Sequence, residues 1–252
     1  MNTTISIETG SRSSVTLWLK RADRGNAFNQ TMLNEIHSAL TALASNPSVR
    51  TLVLRGNGKH FCTGADISAR GDSDSGVSLN DVLSLLDDFP KPVIGVVHGG
   101  CVGGGLAIAA CCDVILAETQ AFFAVPELRV GLAPSVALTG YFLRIMGPRA
   151  FRRYGLSGER ISAADALRLG IAHEVVEAAD IDARLKQLVD DFLHSAPLGL
   201  AELKGRIAQL SASAPALHAH DGARGLERSP EAREGVAAFK EKRKPVWYSS
   251  LN

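Results

Sequence analysis

This 252-residue chain lacks several familiar signatures, and each absence narrows its chemistry. Charge of one sign is missing: 27 Lys and Arg stand against 26 Asp and Glu, a net charge of +1. No field gathers nucleic acid or an anionic membrane, so neither is expected as a partner. Cysteine is sparse. Cys62, Cys101, Cys111 and Cys112 show no CxxC spacing, and an adjacent pair is a poor disulfide candidate, so reduced buried thiols in a cytoplasmic protein are expected. The start, MNTTISIETG, has neither the basic nor the apolar region of a secretory signal. The glycine turn at 98–113 contains no GxGxxG, and the chain has no P-loop lysine, no GxSxG elbow and no HExxH. His218 and His220 lack a third ligand nearby, so no metal is expected. Sequence repeats, low-complexity tracts and linkers are also absent. Residues 92–112 carry no Asp, Glu, Lys or Arg, but six glycines, a proline and His98 interrupt them and Asp113 follows. A buried strand, turn and helix explain that run better than a membrane span.

What is present alternates strand and helix. ISI and VTLWL read as a hairpin over residues 4–20, and Met32, Leu33, Ile36, Leu40 and Leu43 recur at helical spacing up to Asn46-Pro47. TLVLR (51–55) is a strand, GNGKHFCTGAD a loop, and the polar GDSDSGVS (71–78) a mobile rim or lid. A helix follows up to Pro90, then the strand VIGVV (93–97), a helix from about Gly104, and strands at 113–117 and 121–125. Beyond Pro134 the pattern turns helical. Ser162 and Asp165 resemble a capping box, Gly170 a C-cap, and HEVV a short strand. From Ile181 to about Lys244 the chain reads as amphipathic helix broken near Ala214–Pro215. The class is α/β with one main domain over 1–195 and a helical region over 196–252.

The stretch HGGCVGGGLAIAACCD (98–113) has five glycines and no side chain suited to acid–base work in its apolar half. Glycines at a strand-to-helix junction let another atom approach the main chain, and a new helix offers unpaired N–H groups there. Such donors can hold a carbonyl oxygen that becomes an enolate. The same glycines also permit tight helix–sheet packing, and the residues alone leave both readings open.

Taken together, RADRGNAFN, GNGKHFCTGADI, KPVIGVVHGGCVGGGLAIAACCDVILA, LSGERISAADALRLGIAHEVV and EGVAAFKEKRKPVW resemble the crotonase superfamily, the enoyl-CoA hydratase/isomerase family, over almost the whole chain. The resemblance implies a crotonase-like spiral of repeated ββα units with a helical C-terminal trimerisation region, assembled as a homotrimer or homohexamer. It implies an acyl-CoA thioester substrate, with coenzyme A entering as part of that substrate and no separate cofactor. Carried over by motif, the enolate's donors are the backbone amides of Ala65 and Gly104, the latter following Gly103. Coenzyme A is expected along Arg24, Ala27, Ala65, Asp66 and Ile67, with Lys59 as a phosphate contact. Phe239 and Lys242 would touch the nucleotide, in some assemblies that of a neighbouring subunit.

The family's two-carboxylate hydratases hold water between two glutamates. Glu127, in AVPELRVG, matches the second, whereas Ala107 stands at the first. Read by itself, Glu127 is also compatible with a surface pair to Arg129. One carboxylate suits moving a double bond from β,γ to α,β, because a single group removes and returns the proton. Yet the segment VGLAPSVALTGYFLRIMGPRAFRRYGLSGER resembles the bacterial methylglutaconyl-CoA-type hydratases, which also carry a small residue at the first position. Hydration of a 2-enoyl-CoA of branched or medium chain is therefore the leading expectation, with isomerisation second. A non-catalytic acyl-CoA binder and an enolate-forming decarboxylase stay open. Ser135 stands where aromatic dehalogenases place a nucleophilic aspartate, and is expected to cap a helix instead.

Overall fold

The computed structural model describes residues 3–10, 12–69, 76–212 and 230–246. Strands β1 (Ile5–Thr9) and β2 (Ser14–Leu19) pair antiparallel, Ile5 opposite Leu19, and β2 alternates buried and half-buried residues as a strand covered on one face should. Asn29 caps α1 (Gln30–Ser45) by accepting the Met32 N–H, and the helix buries Met32, Ile36, Ala39, Leu40 and Leu43 along one stripe. After β3 (Thr51–Gly56), helix α2 (Leu79–Asp87) starts on a capping box between Ser78 and Asp81.

Two turns of similar design follow: β4 (Val93–Val97), β5 (Gly100–Val102) and α3 (Gly104–Ala110), then β6 (Val114–Glu118), β7 (Phe122–Ala124) and α4 (Val136–Ser157). Ser135 caps α4 as expected, accepting from Leu138 N at 3.2 Å. The helix breaks at Gly147 (φ 72°, ψ 163°), where Pro148 forbids the helical conformation of the residue before it. A short β8 (Ile161–Ser162), α5 (Ala163–Leu169), β9 (Glu174–Val176) and α6 (Ile181–Leu193) complete the body. Ser162 caps α5 and Gly170 closes it at φ 78°, both as the sequence predicts.

The strands form two layers. The larger sheet runs β1-β2-β3-β4-β6-β9, parallel from β2 onward, and the smaller runs β5-β7-β8. Single bridges extend the smaller layer, Cys62 to Cys101 and Phe28 to Ala65. Each turn of the spiral therefore adds a long strand to one sheet and a short one to the other before its helix returns. Leu17, Leu52, Phe61, Leu83, Leu106 and Phe123 fill the space between sheets and helices. A smaller cluster of Val53, Ile94, Val96 and Leu116 lies under α6.

The helical tail departs from expectation in one place. A break at Ser195–Ala196 separates α6 from α7 (Pro197–Ala212), because Ala196 precedes a proline that is itself well suited to open a helix. The break expected near Ala214–Pro215 lies outside the described residues, as do His218, His220 and residues 71–75 of the expected rim. Helix α8 (Pro230–Lys240) comes last. No helix among the described residues is long and apolar enough to cross a membrane.

Candidate active site

Register assembles the site. In the smaller layer Cys62 lies beside Cys101, and Cys101 pairs with Phe123, all running parallel. Three residues beyond that row stand Ala65 and Gly104, and four residues beyond it stands Glu127. Segments far apart in sequence thus end at one rim. The glycines allow the close approach: a methyl group at Gly64 (φ 92°) would sit 3.1 Å from Val102 O and 3.4 Å from Gly104 N, and one at Gly105 would sit 2.5 Å from Cys62 O.

The orientation of both amides follows from their planar trans peptides. Gly64 O accepts from Phe28 N at 2.7 Å, which turns the Ala65 N–H to the opposite side. Gly103 O accepts from Ala107 N at 3.1 Å along α3, which turns the Gly104 N–H out of the helix start. Among the described residues neither N–H has a hydrogen-bond acceptor. Gly103 holds φ 54°, ψ −120°, a conformation that a side chain would strain, and its own N–H is fixed to Ala124 O at 2.9 Å. Leu79 and Phe28 wall the Gly104 side: a methyl group there would sit 2.9 Å from the Leu79 side chain and 3.5 Å from that of Phe28.

Glu127 opens a short 3-10 turn, Glu127–Val130, after β7. Its Oε1 would lie 2.8 Å from a methyl group on Gly103, so the absence of a side chain there admits the carboxylate. Oε2 is buried and has no hydrogen-bond partner among the described residues. Burial pushes its pKa up to about 7, since little else nearby stabilises the charge. The alternative pairing with Arg129 is not made, because that guanidinium turns to Ser157 O and packs on Gly158. An acid poised near neutrality, beside two free amides, can exchange a proton with a molecule whose carbonyl oxygen those amides hold.

The other residues expected in the site divide. Ala27 is buried beside Phe28, and Ile67 is half-buried two residues past Ala65. Ala107 is wholly enclosed in the core one helical turn beyond Gly103, so no second carboxylate faces Glu127 from that position. Arg24 and Lys59 are exposed, Arg24 with Asp23 at 3.8 Å. Helix α8 reaches the turn of Glu127, as Gly235 abuts Val130 and Gly131 abuts Glu231. Phe239 and Lys242 nevertheless point to solvent in the single chain, Lys242 at φ 54°. Asp66 faces inward: Oδ2 takes Arg21 at 2.8 Å and Oδ1 takes Ser68. Arg21 and Asn26 were not expected in the site. Both lie in RADRGNAFN, where local chemistry does not distinguish Arg21, whose side chain is 15% exposed, from Arg24 at 59%, although Arg21 is the one that stands at the arginine of the family segment R-P-x-x-x-N-A-L. No group of three metal-binding side chains is found among the described residues.

A two-layered spiral whose rim brings two free amides near a buried acid with an unpartnered oxygen defines an α/β protein suited to hold a carbonyl oxygen while a proton moves. The chain belongs to the enoyl-CoA hydratase/isomerase family, whose pattern matches residues 10–250. It is 32% identical over 237 residues to a protein of Bacillus subtilis named "Probable enoyl-CoA hydratase", covering 87% of this chain and 90% of that one. It is 30% identical over 248 residues to the crotonyl-CoA hydratase of Syntrophomonas wolfei, covering 92% and 94%. The crystal structure of an enoyl-CoA hydratase from Shewanella pealeana superposes with a TM-score of 0.77 at 32% identity, over 98% of this chain and 96% of that one. The architecture is accordingly the crotonase fold, and its C-terminal helices fit a trimerisation region.

Proposed function

We propose that the protein is a lyase adding water to the double bond of a 2-enoyl-CoA, with Glu127 as the single acid–base group. The observation that carries this reading is the buried, unpartnered Oε2 of Glu127, whose other oxygen packs against Gly103, the residue before the free amide of Gly104. The thioester oxygen accepts from Ala65 N–H and Gly104 N–H. Glu127, ionised, takes one proton of a water molecule as the water oxygen bonds to C3. The C2=C3 electrons shift toward C1, and the oxygen becomes the enolate that the two amides stabilise. Glu127 then returns its proton to C2, so water is divided between C3 and C2 and the acid is regenerated. One donor of such a pair contributes on the order of 10²–10³ in rate.

Relatives named for hydration of crotonyl-CoA and 2,3-dehydroadipyl-CoA, and for dehydration of carnitinyl-CoA, support the reaction class and do not fix the acyl chain. The test is the ultraviolet absorbance of a conjugated enoyl thioester, which disappears on hydration. Addition of the protein should remove it, and Glu127→Gln should abolish the change. Unaltered turnover by that variant would take Glu127 out of the mechanism. Ala107 favours one second reading, a Δ3-Δ2 enoyl-CoA isomerase, since one carboxylate suffices to carry a proton between C2 and C4. A 3-enoyl-CoA that gained conjugation without later hydration would select it. Binding of the thioester with no turnover of either compound would mark a non-catalytic member.

A further inference from the structure

We infer that Arg21, acting through Ala27 and Asp66, is a positioning residue that sets the direction of the Ala65 amide. The inference rests on the hydratase reading above, because it concerns the donor that reading assigns to the thioester oxygen. The Ala65 segment is joined to the neighbouring Phe28 segment by an isolated bridge of two backbone bonds, Phe28 N to Gly64 O at 2.7 Å and Asp66 N to Phe28 O at 2.8 Å. Ala65 itself is exposed, and no regular strand extends that bridge in either direction. Further in, Thr63 N and Oγ1 both donate to Gly25 O and Cys62 Sγ to Asn26 O, but beyond Thr63 only the two bridge bonds hold the Ala65 peptide, and any rocking there turns its N–H away from an oxygen that it must meet.

Arg21 adds a constraint at that outer end. One arm of its guanidinium donates to Ala27 O at 2.5 Å, and the other to Asp66 Oδ2 at 2.8 Å. The first anchor lies one residue before Phe28, and the second one residue after Ala65, so a planar fork straddles the bridge. Asp66 is held from its other side by Ser68, whose N–H and hydroxyl both donate to Oδ1. The base of the fork is fixed as well. Arg21 N donates to Asn26 Oδ1, while the Asn26 amide, wholly buried and at φ 57°, donates to Asn57 O at 2.9 Å and His60 O at 2.7 Å. Lysine, a point charge without the fork, can satisfy one anchor but not both in fixed geometry.

The test uses the full chain with an enoyl-CoA whose thioester carbonyl is isotopically marked. It is bound in the Glu127→Gln background so that it persists, and its stretch is followed by infrared difference spectroscopy. Hydrogen bonds from the two amides lower that frequency. Adding Asp66→Asn, an isosteric change at the second anchor, or Arg21→Lys should return part of the lost frequency. Tested singly with Glu127 intact, each should cut kcat by about 10- to 100-fold, as a misdirected donor does, with KM changed by no more than about 3-fold. A purely structural role would lower the melting temperature and leave the frequency in place, and that result overturns the inference. Should Arg21→Lys fold poorly, Asp66→Asn decides alone. If Glu127→Gln by itself leaves the frequency at its value in water, the oxyanion reading fails. If Glu127→Gln lowers it and the second substitutions change nothing, only the role of Arg21 fails.

Discussion

At the scale of single residues, Glu127 sets function against stability. A carboxylate whose pKa is near 4.5 unfolded and about 7 folded binds more protons in the native state across that interval. Stability therefore falls as pH rises from about 4.5 to 7 and levels off above, the reverse of an ion-paired acid. At pH 8 the ionised group costs up to about 3 kcal/mol on that arithmetic. Glu127→Gln should consequently raise the melting temperature at pH 8 and leave it nearly unchanged at pH 4, read by calorimetry at both values. The same ionisation should appear in turnover: kcat/KM for hydration should rise with pH through an acid limb near 7, since the water's proton needs an ionised acceptor. Gly103 offers an independent probe. Alanine there brings a methyl group 2.8 Å from Oε1 and strains a backbone at φ 54°, so it should cost about 1–3 kcal/mol in denaturant titrations and lower kcat by at least about 100-fold. A fully active Gly103→Ala variant would show that the carboxylate does not need that space.

Among elements, the turn that carries Glu127 depends on α8. Val130 and Gly131 lie directly against Gly235 and Glu231, and a methyl group on Gly235 would come within 2.4 Å of the Val130 backbone, which cannot retreat as a side chain would. Gly235→Ala should therefore push α8 off the turn, at about 1–3 kcal/mol of stability by overpacking. With burial loosened, the acid limb of kcat/KM should shift from about 7 toward 4.5. A variant with lowered stability and an unmoved acid limb would separate α8 from the electrostatics of the site. The elements themselves were readable in sequence where local chemistry decides them. The stripe of α1, the Ser162 cap, the Gly170 stop and the run 93–97 are all local patterns, and each appears where its residues place it. The smaller layer was not readable as a sheet. Its strands are two or three residues long, too short for any periodicity, and its register at Cys62, Cys101 and Phe123 is a long-range fact. Glu127 and Ala65 were accessible as candidates only through resemblance to a family, whereas the glycine turn at Gly104 by itself left a donor role and a packing role open. The division of labour between Arg21 and Arg24, three residues apart in one loop, was not accessible from local chemistry, because fold geometry decides which of them turns inward.

For the whole molecule, the unresolved balance is on α7. One face holds to the body through Lys204, which reaches Lys91 O at 2.9 Å and pairs with Asp113. The other presents Leu203, Ile207 and Leu210 at 55, 56 and 75% exposure, spaced four and three residues apart, with Leu198 further exposed at the helix start. Such a stripe is seldom left to water, and the apolar area it offers suits a partner of the same kind. Phe239 and Lys242 are outward on α8, and a contact of theirs with a thioester bound by a neighbour is an expectation that only association of several copies could meet. Ile207→Lys together with Leu210→Lys places two charges in that stripe, where burial is expensive without a counter-ion. The wild-type chain should sediment as a trimer or hexamer at micromolar concentration, and the double variant as a smaller species. Because Glu127, Ala65 and Gly104 come from one chain, the dissociated variant should keep a measurable kcat while KM for the CoA thioester rises. A wild-type protein that sedimented as a monomer would leave that face of α7 without the role argued for it, and the thioester would then have to be held by one chain alone.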